Sequence, residues 1–516
     1  MSAILNSRIC REPFKRLIVK PEETIKFFKN GQSVGWSGFT PSGYPKAVPI
    51  ALANHVKENN LQGKLRFKLL SGASVGSETA DIWAELNMIE SYMPYQSGKN
   101  LNKAINKGLI AFQDIHLSNF PDALINGHYK SNIDIAIIEA TEITKEGGII
   151  LGAAGGVAQE VCDLAEKVII EVNTSIPSYR GVHDIVQNPA PPSRFPFLIT
   201  RVDDRIGKPH VVVDPEKIIA IVESTHYDNG RPLSEPNDSS LKIAEHIINF
   251  LEEEVSMKRL PQNLLSLQSG VGNIANAVIS GLASSRFENV TMWTEVLQDT
   301  VLNWFDTGKL RFASTTAVSL SVPGFQRFYK NWDHYAPKII IRPQFISNHP
   351  ENIRRLGVIA MNTPIEIDIY GHVNSSHVMG SRVINGIGGS GDFLRNSFLS
   401  ITHTPSIRPT PSDPTGISCF VPFCSHIDHT EHDVLIYVSE QGLADCRRLD
   451  PRARARAIIT NCSHPDYKEQ LLSYLEMAES ECERTGSMHQ PHMLRKAFLM
   501  HQNFLEKGTM KLSTWN

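Results

Sequence analysis

DIAIIEATEI, residues 134–143, is the stretch on which the fold turns. β-Branched residues dominate it, as they do in strands buried inside a sheet. Working outward, strand-like apolar runs recur at KLRFKLLSG (64–72), KVIIEVNT (167–174) and IIAIVEST (218–225). Later ones are LLSLQSG (264–270), VTMWTEV (290–296), IIIRPQF (339–345), EIDIYGHV (366–373) and DVLIYVSEQG (433–442), and β-branched residues dominate most of the set. Helix-like patterns lie between these runs. Residues 241–257 place Ile243, Ile247, Phe250 and Leu251 on one face, and 465–479 and 491–506 read as amphipathic helices. Pro451 suits the first turn of a helix in PRARARAIIT. Strands alternating with helices predict an α/β fold with largely parallel sheets.

The chain has 516 residues, enough for two to four domains. HYDNGRPLSEPNDSS, residues 226–240, is a turn-rich separator between a strand and a helix. It predicts an N-terminal domain over 1–225 and a C-terminal domain over 226–516. Hydrophobic residues make up 41% and charged residues 20%, with a net charge of -3. That balance fits a soluble globular protein and gives no electrostatic case for nucleic acid. No apolar run approaches the ~18 residues of a membrane span, so no membrane partner is expected. Seven scattered cysteines without a C-x-x-C pair point to a reducing compartment. Arg8, Arg11, Lys15, Arg16 and Lys20 make the N-terminus basic. Two readings stay open, a mitochondrial leader or a basic first helix of the mature fold, so the expected location is mitochondrial or cytoplasmic.

Four segments carry candidate chemistry. SGVGNIANAV (269–278) puts Gly270 and Gly272 after a strand and before a helix, where amides favour developing negative charge. A tight turn is the commoner meaning of such a pair. WTEVLQD (293–299) ends an apolar strand on Glu295, where an unpaired carboxylate is costly. Taken alone, a salt-bridged or solvent-facing glutamate is the commoner reading. NGIGGSGDF (385–393) holds glycines at 386, 388, 389 and 391, but matches neither the P-loop nor the dinucleotide fingerprint. SHIDHTEHD (425–433) offers His426, Asp428, His429 and His432, in no standard metal spacing. A polar turn feeding the next strand is favoured there, and no metal is expected. GWSGFTPSGYPKAVP (35–49) and GAAGGVAQE (152–160) are further Gly-rich turns, each more simply structural.

Together these segments resemble the acetyl-CoA hydrolase/transferase family, a branch of the class I CoA-transferases. The likeness runs along almost the whole chain. It is carried by WSGFTPSGYPKAVP, LQSGVGNIANAV, WTEVLQD, ISNHPENIRRLGVIAMNTPIEIDIYGHVNSS, NGIGGSGDFLRN, SHIDHTEHDV, EQGLAD and KGTMKLSTW. The resemblance implies two CoA-transferase-type α/β domains with the active site between them, and a homodimer. It implies Glu295 as catalytic nucleophile. It implies oxyanion or CoA contacts at Gly270, Val271, Gly272, Asn273, Ile274, Asn385 and Gly389. Supporting roles would fall to Asn348, Glu440, Arg231 and Arg408. Arg408 stands where some relatives carry a lysine for the CoA phosphates, and EQGLAD is followed by CRRL where relatives tend to have a glycine.

A glutamate has a reference pKa near 4.3, so Glu295 is expected to be ionised at neutral pH without a general base. The implied reaction is CoA transfer between a short-chain acyl-CoA, succinyl-CoA or acetyl-CoA, and acetate or a similar carboxylate. It would pass through an acyl–glutamyl anhydride and a glutamyl–CoA thioester. The alternative is hydrolysis of acetyl-CoA, with water attacking the same intermediates, and a second is acyl-CoA binding without turnover. CoA is substrate and product in either reaction, and no permanently bound cofactor is expected.

Overall fold

The computed structural model describes residues 2–128, 132–192, 194–230 and 235–515. The chain forms two compact units. Unit 1 comprises Met1–Leu233, Asn289–Leu356 and Asn385–Asp392; unit 2 comprises Ser234–Glu288, Gly357–Ile384 and Phe393–Asn516. The units thus group the chain differently from two contiguous halves, since unit 1 takes in two later segments.

Unit 1 is built on a seven-stranded sheet. Its strands are β1 (Ser33–Trp36), β2 (Phe67–Leu70), β3 (Ile89–Met93), β4 (Ala111–Phe112), β5 (Ile133–Ala140), β6 (Ala165–Asn173) and β7 (Ile218–Ser224). The spatial order is β4-β3-β2-β1-β5-β6-β7, with every pairing parallel. In β5, Ile135 and Ile137 enter one core while Ala136 and Ile138 enter another. Successive strand side chains point to opposite faces, so a strand covered on both must be apolar at nearly every position. Helix α1 (Ala47–Glu58) covers one face through Val48, Leu52 and Val56, and α2 (Asn119–Ile125) and α3 (Ala158–Leu164) cover the other. The basic N-terminal stretch is part of this unit. Leu5, Ile9 and Phe14 are buried in the core, and the Arg8 guanidinium donates to the carbonyls of Thr141 and Ile176.

Strand order reverses between β1 and β5, the place where open α/β sheets usually bind a ligand. Here that crevice is filled from within. The buried Lys46 ammonium lies 3.1 Å from Glu139 and 2.8 Å from Asp228. Glu171 accepts the amides of Lys46, Ala47 and Val48 at the start of α1. The glycines of the two N-terminal turns are structural. A Cβ at Gly72 would lie 2.5 Å from the Gly38 carbonyl and 3.2 Å from Gly156 Cα, so three loops cross where only glycine fits.

The later segments of unit 1 add three parallel strands, β8 (Val290–Trp293), β9 (Leu310–Thr315) and β10 (Ile339–Ile341). Short helices α4 (Gln344–Ser347) and α5 (Pro350–Leu356) follow β10, and α6 spans Ser390–Asn396.

Unit 2 has four parallel strands, Leu267–Ser269, Ile359–Asn362, Leu399–His403 and Ile436–Ser439, and an antiparallel Gly442–Asp445. Its helix Asp238–Ser256 buries Ile243, Ile247, Phe250 and Leu251, the face read from the sequence, and Asn237 caps it. Helix Pro451–Cys462 is capped by Asp450, and the next runs over Pro465–Thr485. The helix expected over 491–506 is shorter, spanning Leu499–Lys507. Tyr370 Oη donates to the Pro491 carbonyl, which a helix from 491 would need for its own ladder, and Tyr474 Oη accepts the Met493 amide. The SHIDHTEHD segment is a hydrogen-bonded turn, with Asp428 accepting from the Ser375 amide and Ser376 Oγ. No described helix is long and apolar enough to cross a membrane, and no described group of three His, Cys, Asp or Glu could hold a metal ion.

Candidate active site

Glu295 stands two residues past the end of β8, at the carboxyl edge of its strands. The strand is held on both sides of it. Before it, Trp293 Nε1 donates to the Ser347 carbonyl at 2.7 Å, and the Arg342 guanidinium lies 5.1 Å over the Trp293 ring. After it, Val296 packs with Phe39, Ala73, Leu117, Ala154 and Ala317. The Glu295 carbonyl accepts from the Thr315 hydroxyl and from the amides of Thr316 and Ala317. With the backbone pinned, the side chain projects from an apolar base yet keeps some accessibility.

Asn348, at the C-terminal end of α4, donates from Nδ2 to Glu295 Oε1 at 2.6 Å. The same nitrogen donates to Asp392 Oδ2 at 3.2 Å. Asn348 Oδ1 accepts from Ser347 Oγ at 2.7 Å, which assigns the amide orientation. Asp392 is 5% exposed and accepts from the Ser118 amide at 3.0 Å and from Ser118 Oγ at 2.5 Å. His116 Nδ1 is 3.9 Å from Asp392 Oδ1. Gly389 faces the carboxylate directly: a Cβ there would lie 2.1 Å from Glu295 Oε1 and 2.6 Å from Asn348 Nδ2. Its loop is tied down where the Ile387 amide donates to the Asp114 carboxylate at 2.9 Å, and where Gln96 Nε2 donates to the Asn385 carbonyl at 3.4 Å.

The electrostatics differ from the sequence expectation of a carboxylate ionised without help. Loss of solvation pushes the Glu295 carboxyl up to about 8, the Asn348 hydrogen bond opposes this, and the nearby Asp392 adds to it. Burial also raises Asp392, against the hydrogen bonds of Ser118 and Asn348 and the proximity of His116. Two carboxyls that share one amide cannot both ionise cheaply in a poorly solvated pocket. The reference value misleads because it describes a side chain in water.

The structure therefore brings Glu295, Asn348 and Gly389 together, and it adds Asp392, Ser118 and His116, which sequence reading did not single out. Asp392 was visible as the acid ending the glycine loop; nothing in the sequence pairs it with Ser118. Asn385 lies in the same loop, with Oδ1 buried and unpartnered. The remaining candidates among the described residues belong to unit 2. Gly270–Ile274 join strand Leu267–Ser269 to helix Asn273–Ser284; Gly272 adopts φ 116 as its N-cap, and the Gly270 amide donates to the Met361 carbonyl. Val271 is exposed. Glu440 accepts the Ser406 amide and hydroxyl, and Arg408 donates to the Pro364 carbonyl at 2.8 Å, so both secure backbone turns. Arg231 lies outside the described residues.

Residues 2–223 match the acetyl-CoA hydrolase/transferase N-terminal domain, and residues 324–475 match the C-terminal domain. An acetyl-CoA hydrolase of Schizosaccharomyces pombe is 57% identical, covering 100% of both chains. One from Neurospora crassa is 53% identical, over 99% of this chain and 98% of its own. Among solved structures, a 4-hydroxybutyrate CoA-transferase of Porphyromonas gingivalis shares the fold, with TM-score 0.61 and 18% identity over 92% of this chain and 99% of its own. With identity this high over the full length, this chain belongs to the acetyl-CoA hydrolase/transferase family.

Proposed function

We propose that the chain cleaves the thioester of acetyl-CoA by covalent catalysis on Glu295, with water as the final acceptor. The observation that carries this reading is the Glu295 carboxyl itself, on a half-buried residue, held at Oε1 by Asn348 and pressed against a glycine that leaves no room for a side chain. The fungal relatives are named for hydrolysis, which favours water over the carboxylate acceptor expected first from the sequence.

In this mechanism the Glu295 carboxylate bonds to the acetyl carbon and the C–S bond breaks, giving an acetyl–glutamyl anhydride and CoA thiolate. The thiolate attacks the glutamyl carbonyl, acetate leaves, and a glutamyl–CoA thioester forms. Water adds to that carbonyl, CoA departs as the thiol with one of the water's protons, and the other is released to solvent as the carboxylate is restored. Asn348 Nδ2, already on Oε1, suits the negative charge that develops on the glutamyl oxygen, a contact of a kind worth ~10²–10³ in rate. With the carboxyl near 8, about one molecule in ten carries the nucleophilic form at pH 7. The desolvation that makes ionisation costly also leaves the anion less solvated and closer to attack. The acylation rate therefore rises with pH to about 8.

The test is acetyl-CoA consumption by Glu295→Ala, with borohydride trapping of the thioester in the unmodified enzyme. Loss of both turnover and trapping in the variant is expected; retained turnover overturns the assignment. Adding acetate or succinate separates the acceptors, since acceleration by a carboxylate identifies transfer and indifference identifies hydrolysis.

A further inference from the structure

Asn348 spends the two hydrogens of one amide on two carboxylates. Its oxygen is taken by Ser347 Oγ, so turning the amide over would set an acceptor against both acids. Such an amide is held in place only as firmly as the carboxylate on its far side. Asp392 is that carboxylate, and it is unusually well anchored. It is buried, it takes both the amide and the hydroxyl of Ser118, and it lies 3.9 Å from an imidazole nitrogen. The Ser118 loop is joined to α4 as well, because Gln344 Nε2 donates to the Leu117 carbonyl at 2.9 Å. Four segments far apart in sequence thus converge on one hydrogen-bond relay, Ser118 to Asp392 to Asn348 to Glu295. Burying a carboxylate is costly unless its bonds do something the fold needs.

We propose that Asp392 is a positioning residue for the reaction, fixing through Asn348 the orientation in which the Glu295 carboxylate meets the thioester. The proposal rests on Glu295 being the nucleophile. Asp392 orients Glu295 through the Asn348 amide, and its charge separately raises the Glu295 carboxyl. Asparagine there keeps an acceptor for Asn348 Nδ2 and the Ser118 amide only by turning its NH2 to the Ser118 hydroxyl, so the charge-assisted bond on Asn348 becomes a neutral, weaker one and the relay slackens. A displacement of about 1 Å at the nucleophile can cost ~10²-fold in rate.

The experiment is a double-mutant cycle on kcat and KM for acetyl-CoA, using Asp392→Asn, Asn348→Ala and both together. Expected are a ~10²-fold fall in kcat for each single variant, KM changed by less than about threefold, and a double variant no slower than the worse single. Ser118→Ala removes only the hydroxyl and is expected to lower kcat by ~10-fold; combined with Asn348→Ala it runs the same cycle should Asp392→Asn not fold. Folding is followed by thermal unfolding. Asp392→Asn with unaltered kcat, or losses that multiply in the double variants, would overturn the proposal. Glu295→Ala is assayed alongside. If it turns over, the assignment of the nucleophile fails instead, and the two failures are told apart.

Discussion

Replacing Glu295 by glutamine should make the protein more stable, and increasingly so as pH rises. The carboxyl is pushed from an ordinary value near 4.3 to about 8 in the folded chain. Above the unfolded value the unfolded state gives up its proton while the native state keeps it, so stability falls with rising pH until the native carboxyl ionises too. Between about pH 6 and pH 8 that single group removes about 2 kcal/mol of native stability. Glutamine keeps an acceptor for Asn348 and carries no charge toward Asp392, so the variant lacks this slope. Unit 1 has roughly 300 residues. At ~2.1 cal/mol/K per residue, the gap in Tm between variant and wild type widens by about 3 °C from pH 6 to pH 8. Differential scanning calorimetry of both proteins across that range is the assay, since titrations that do not interact with Glu295 cancel in the difference. A gap that stays flat or narrows with pH would refute the placement of the carboxyl in a desolvating pocket. The variant should show no turnover at any pH.

Gly389→Ala should abolish acetyl-CoA cleavage with a normal fold, because its Cβ would enter the space of Glu295 Oε1; steady-state kinetics with circular dichroism checks both halves. His372 lies between Asp368 at 2.8 Å and Glu431 at 2.7 Å. Burial alone would lower it, but the hydrogen bond and charge of Asp368, with Glu431, raise it above its ordinary value. Its contribution is therefore full below about 6.5 and lost as pH rises through the raised value, so His372→Gln should cost about 2 kcal/mol at acid pH and less at alkaline pH by urea titration. Arg448 is exposed and sits at φ 65, a left-handed position. That region favours glycine, so Arg448→Gly should stabilise by about 1 kcal/mol, read from the urea midpoint.

Much of this site was legible in one dimension. The Gly-rich loop and the acid ending an apolar strand announce themselves by their cost, since neither is what a buried strand or a packed loop would choose. Yet the weight of Glu295 came from its company in the chain: residue by residue, a salt-bridged glutamate was the better reading. The GAAGGVAQE and GWSGFTPSGYPKAVP turns show the converse. They share the glycine density of the site loop, but Gly38, Gly72 and Gly156 are there to let backbones cross. Glycine content alone cannot separate the two uses, because both demand the absence of a Cβ.

By itself the sequence determined the α/β class and the near-continuous apolar strands, and put forward Glu295, Asn348 and Gly389 as candidates, since strand burial and family motifs are written in local residue order. Tertiary structure decided the rest. Residues 491–498 leave the helical pattern because a tyrosine hydroxyl from elsewhere claims the Pro491 carbonyl. Ser118 meets Asp392 across 274 residues, a pairing no local pattern encodes. The charge on Glu295 changed most between the two views. A pKa belongs to the surroundings of a group, and only the folded chain supplies the apolar base beneath it, the amide on one oxygen and the second carboxyl beyond that amide.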